Sequence, residues 1–194
     1  MPLYKIGNKL LSNGAGKMFG FTVPPPEPHR SNIGPQSGAY YINTLPIETS
    51  SLYSFSQQIY TADLINFAGN ITGIVFFPES SYLDGRTIKV YLSIIDNTKF
   101  TSKKSIPVLD SDCIFGPSKV IIEKDKPLIF NLENPLYYDG IKNLLLTVVD
   151  DSGTWDKKTN FYNAVQGTTL QSLYKTGSEP FNPKQTYYGL TIVK

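Results

Sequence analysis

The sequence predicts an all-β fold: an antiparallel, jelly-roll-like β-sandwich preceded by an extended N-terminal arm. Three observations point there. In Gly85–Ile95, GRTIKVYLSII, the apolar residues Ile88, Val90, Leu92 and Ile94 alternate with Thr87, Lys89, Tyr91 and Ser93, the period of two that marks a strand with one buried face. Similar short apolar segments recur on both sides of it, separated by Gly, Pro, Asn and Asp. The first 38 residues differ in composition from everything that follows.

Those 38 residues hold 6 of the 14 prolines and 6 of the 15 glycines. They carry four cations (Lys5, Lys9, Lys17, Arg30) against one acid, Glu27, leaving 14 basic and 15 acidic residues in the remainder. Pro24–Pro26 favours a stiff polyproline II segment, and Gly14, Gly16 and Gly20 interrupt any helix. The apolar content is too high for a solvated tail. Residues 1–37 are therefore expected to be an anchoring arm that orders on a partner surface. Leu3, Tyr4, Ile6, Leu10, Leu11, Phe19 and Phe21 are its candidate contacts.

From residue 38 to 194 the pattern is that of a sandwich domain. Ala39–Leu45 reads as a first strand. Tyr53, Phe55, Gln57 and Ile59 form one face of a second, with Ser54, Ser56 and Gln58 opposite. Tyr60–Ile65 reads as a helical turn capped by Thr61. Asn70–Phe77 is a strand apolar on both faces, closed by Pro78, and Glu79–Gly85 a turn before the central strand. Asp96–Ser105 is a polar excursion. Cys113–Phe115 and Lys119–Ile122 are expected as two short strands around Gly116-Pro117. Leu128, Phe130 and Leu132 give another alternating face, broken at Asn134-Pro135. Asn143–Val149, the most apolar run, belongs in the centre. Phe161–Val165, Thr169–Tyr174 and Thr186–Val193 complete the set. The expected core includes Ile88, Val90, Leu92, Leu128, Phe130, Leu144, Leu146 and Val148.

Composition narrows the function. A net charge of +2 is too small to imply nucleic acid or an anionic membrane as partner. No apolar run approaches the roughly 20 residues of a membrane span, and MPLYKIGNKLL lacks the apolar stretch of a signal peptide. Cys113 is the single cysteine, which excludes an intrachain disulfide and reads as a small buried core residue. The only histidine, His29, falls in the arm, so a histidine-dependent triad or zinc cage is not expected. There is no phosphate-binding glycine motif. No enzymatic activity, cofactor or metal site is expected.

Two stretches carry weighed readings. In Val148–Trp155, Asp150 and Asp151 read as hairpin-turn residues, with calcium ligation the alternative. Trp155, the only tryptophan, stands near Asp151, Asp156 and Asn160 in sequence. Trp155, Asp151 and Asn160 are the candidate glycan contacts, the indole stacking on a sugar ring. In Tyr137-Tyr138-Asp139-Gly140 the Asp-Gly pair reads as a structural turn.

SFSQQIYTADLI (54–65), NITGIVFF (70–77), GRTIKVYLSIIDNTKF (85–100) and FNLENPLYYDGIKNLLLTVVDDSGTW (130–155) resemble, in that order, a β-sandwich module of Bacteroidetes secreted adhesins. That module carries R-T-x-x-[IV]-Y-[LM], then P-[FLY]-x-Y-[DN]-G-x-x-N-L-[LV], then a D-[DN]-[ST]-G turn, and the match covers about residues 50–175. The opening MPLYKIGNKLLSNGAGKMFGFTVPPP resembles the capsid-binding arm of head fibre or decoration proteins of crAss-like phages of Bacteroides. The resemblance implies a structural virion protein on the capsid surface, assembled in the host cytoplasm. Its partners would be the major capsid or another shell protein, its own copies in a homotrimer, and a host-surface glycan. The alternative it leaves is a secreted or cell-surface carbohydrate-binding or adhesin domain of a Bacteroidetes bacterium.

Overall fold

A computed structural model describes residues 41–42, 44–155, 157–162 and 170–193. The arm over residues 1–37, its seven candidate contacts, His29 and Asp156 lie outside the described residues. Ten strands occur among those described: β1 (Tyr41–Ile42), β2 (Tyr53–Tyr60), β3 (Gly69–Phe76), β4 (Tyr82–Ile95), β5 (Cys113–Ile122), β6 (Leu128–Tyr138), β7 (Asn143–Asp150), β8 (Phe161–Tyr162), β9 (Ser172–Gly177) and β10 (Thr191–Val193). A four-residue helix, α1 (Ala62–Ile65), follows β2. The fold is the expected antiparallel β-sandwich. A six-stranded sheet, order β10-β9-β2-β7-β4-β5, packs against the β3-β6 ribbon, and β1 pairs with β8.

The alternation in β4 acts as predicted. Ile88, Val90 and Leu92 turn toward the ribbon and join Leu144, Leu146 and Val148 of β7, and Leu128, Phe130 and Tyr138 of β6, in one core. All eight expected core residues are buried. The intervening residues meet a second core. Leu145 and Val149 of β7, Tyr91 of β4, and Phe55 and Ile59 of β2 pack with Phe100, Val108, Phe181 and Leu190, which arrive on connecting segments. Strand β7 therefore lies between β2 and β4 with all eight residues buried, as a continuous apolar run requires. Gln57 ties the covering segment to the sheet. Its Nε2 donates to the Ile106 carbonyl at 2.6 Å and to Thr147 Oγ1 at 2.9 Å, and its Oε1 accepts from the Ile106 amide at 2.8 Å.

Three expected breaks prove to be irregularities inside longer strands. Gly85 does not end a turn: β4 already runs from Tyr82, and its register against β5 shifts between Tyr82 and Arg86. Cys113–Ile122 is one edge strand, with the shift at Gly116-Pro117. Gly116 has φ +84°, and a Cβ there would stand 2.1 Å from the Ile88 carbonyl oxygen, so only glycine fits. Strand β6 continues through Pro135 to Tyr138, and the ladder with β3 slips between Ile71 and Gly73, leaving exposed Asn134 and Pro135 in the bulge. Proline is tolerated at such bulges because no ladder donor is needed. Two smaller corrections concern caps and burial. Thr61 stands at the N-cap of α1 without a side-chain hydrogen bond, and the Ala62 amide is instead satisfied by Asn143 Oδ1 at 3.0 Å. Cys113 is half-buried rather than buried, because edge strand β5 leaves one side of it uncovered.

Tyrosines link this packing to pH. Burial pushes the Tyr91 hydroxyl from its ordinary value of 10.0 up to about 12, with Cys113 and Asp110 adding repulsion. Burial also raises Tyr60. A phenol whose proton is held more tightly in the folded state stabilises fully below pH 10 and loses that contribution as pH rises toward 12. The melting temperature should fall steeply above pH 10, with the phenolate absorbance of these residues appearing only as the protein unfolds. Their titration in the folded state near pH 10 would contradict the packing.

Candidate binding cleft

The loop after β7 is shaped by a buried ion pair. Arg86 and Asp150 are both fully buried, and the guanidinium holds the carboxylate through Nε at 2.7 Å and Nη2 at 2.5 Å. The same guanidinium donates from Nη1 to the Thr154 carbonyl and from Nη2 to the Ser51 carbonyl at 2.8 Å. It lies over the Tyr82 ring, 5.5 Å from the centroid. Asp150 also accepts from the Ser152 amide at 3.2 Å and from the Ser152 hydroxyl, and that hydroxyl accepts from the Thr87 amide at 2.8 Å. Burial pushes the Asp150 carboxyl above its ordinary range, while Arg86 and Ser152 pull it down.

This clamp fixes the backbone immediately before Trp155. The indole is 67% exposed, unusual for the largest apolar side chain in the chain. Beside it opens a cleft of about 460 Å³ lined by Tyr82, Asp84, Gly85 and Thr87 of β4, Lys119 of β5, and Ser152, Thr154 and Trp155 of the loop. Gly85, at φ +80°, lets the Lys119 side chain cross it: a Cβ there would stand 2.4 Å from Lys119 Cε. Among the described residues neither Asp84 nor Lys119 has an ion-pair partner. The cleft thus offers one aromatic platform, hydroxyl groups, and one charge of each sign.

Of the three candidate glycan contacts, only Trp155 lines this cleft. Asp151 is held away by Lys89, whose Nζ approaches its Oδ2 to 2.9 Å. Asn160, directly before β8, is tied to the connection between β3 and β4. Its amide donates to Ser80 Oγ at 2.7 Å and its Nδ2 to Glu79 Oε2 at 3.2 Å. Asp150 and Asp151, the alternative calcium ligands, each face a cation of the chain, Arg86 and Lys89. Among the described residues no group of three or more His, Cys, Asp or Glu is arranged to hold a metal ion, and no helix is long and apolar enough to cross a membrane. The Asp139-Gly140 turn forms as expected, with Asp139 Oδ1 accepting from the amides of Ile141 and Lys142 at 2.8 and 3.2 Å. There Tyr138 is buried and Tyr137 exposed.

Sequence reasoning missed Arg86, Asp84 and Lys119. A signal for Arg86 was present: it shares parity with Ile88, Val90 and Leu92, as Asp150 does with Leu144, Leu146 and Val148. Both charges thus fall on a buried face, where each needs the other. Comparison of the chain with protein-family models, curated proteins and solved structures found no match.

Proposed function

We propose that the chain is a structural protein of a virion, a head fibre or capsid decoration, anchored by residues 1–37 and displaying its sandwich outward for adhesion. The observation that carries this reading is the change of composition at residue 38. Among the described residues two apolar cores draw on positions 47 to 190, and the arm carries apolar residues of its own. Those residues suit a groove on the major capsid or another shell protein. The segments that resemble the adhesin module support the outward half of the reading. GRTIKVYLSII lies in β4, FNLENPLYY in β6 and DDSG at the clamped loop. A closed homotrimer suits display on a shell, because closed symmetry stops open-ended growth.

The open cleft at Trp155 also favours a second reading, a surface adhesin of a Bacteroidetes bacterium. Localisation separates the two. Antibodies against residues 38–194 should decorate capsids of purified particles. Labelling of the bacterial surface, with bare capsids, would overturn the virion reading in favour of the second.

A further inference from the structure

We infer that the Trp155 cleft is a carbohydrate-binding site for a neutral pyranose sugar. The inference deepens the adhesive role proposed above and is independent of how the chain is anchored. Its basis is the chemistry that the cleft presents. At about 460 Å³ it falls within the ~300–1,000 Å³ typical of small-ligand sites, but its walls are mostly polar. An apolar ligand would find one exposed aromatic surface, Trp155, because Tyr82 is buried. A phosphate-bearing ligand would meet Asp84 as well as Lys119, with no net attraction. A sugar ring matches what is there. Its C–H face stacks on the exposed indole, and its hydroxyls donate to the Asp84 carboxylate and accept from the Lys119 ammonium, which are the stronger kind of hydrogen bond. Thr87 and Thr154 line the same cleft. With one charge of each sign, nothing in it selects for an acidic sugar.

The platform is pre-organised. Arg86, fully buried, grips the Thr154 carbonyl one residue before the indole, so little ordering cost remains for binding. Arg86 is a positioning residue for the site and does not line it.

Trp155 is the only tryptophan, so intrinsic tryptophan fluorescence of the full chain reports on this cleft alone. Titration with hits from a glycan array spanning neutral, sialylated and uronic-acid oligosaccharides should shift the emission for neutral members, with little dependence on salt. On the array, Trp155→Ala should lose at least about tenfold in affinity, and Trp155→Phe should keep part of it through the smaller ring. Asp84→Asn and Lys119→Met should each lose several-fold. All three positions are exposed, so an unchanged melting temperature will show that the variants are folded. Binding that survives Trp155→Ala, recognition confined to acidic glycans and abolished by salt, or no glycan bound at all would each overturn the inference. None of these outcomes bears on attachment by the arm, which is read on particles.

Discussion

Replacing Arg86 with methionine is expected to cost about 3–5 kcal/mol of stability, the usual cost of leaving one partner of a buried pair without its counter-charge. Asp150 would keep only Ser152, and the carbonyls of Ser51 and Thr154 would lose their donor. Arg86→Met combined with Asp150→Leu should recover much of the loss, because the orphaned charge is removed as well. The pH dependence of the single variant has a defined sign. Burial already pushes the Asp150 carboxyl above its ordinary 3.8, and removing Arg86 removes the main opposing pull. The folded variant then binds a proton that the unfolded chain does not, so its deficit should narrow as the medium is acidified through the raised value. Denaturant unfolding at neutral and mildly acidic pH reads both effects. A variant as stable as the parent, or a deficit that widens on acidification, would contradict the clamp.

The second large effect is expected at Leu146. It is 1% exposed, sits at the middle of β7, and lies opposite Leu92 of β4 and Gln58 of β2. Strands on both sides prevent the backbone from collapsing into a void. Leu146→Ala should therefore cost about 2–5 kcal/mol, transfer and cavity contributions together. The denaturation midpoint should drop with an unchanged slope, the mark of lost stability without a change in the surface exposed. A cost under about 1 kcal/mol would place Leu146 outside a close-packed core.

Most of the sandwich was legible in the sequence because alternation is a direct imprint of a half-buried strand. Ile88, Val90 and Leu92 show it, as do Leu128 and Phe130. Legibility failed in three ways, each with a physical cause. Glycine and proline signal local backbone geometry, and at Gly85, Gly116 and Pro135 that geometry is a slip within a ladder rather than its end. The second core joins residues remote in sequence, such as Phe55 and Phe181, whose rings lie 5.8 Å apart, and no local pattern announces such a pairing. At the candidate site, closeness in sequence was a poor guide. Asp151 and Asn160 lie near Trp155 along the chain, yet Lys89 and Glu79 draw them elsewhere. Lys119 arrives from another strand. The exposure of Trp155 follows from Arg86 gripping the residue before it, which parity hinted at and only the fold completes.

The central claim is that a self-sufficient sandwich is displayed by a separate anchoring arm. The most direct measurement compares the full chain with residues 38–194 in two assays: thermal unfolding, and co-sedimentation with capsids that lack the protein. The account predicts nearly equal melting temperatures and attachment of the full chain alone, weakened by salt because Lys5, Lys9, Lys17 and Arg30 contribute to it. A truncated domain that unfolds, or one that still decorates capsids as well as the full chain does, would contradict it.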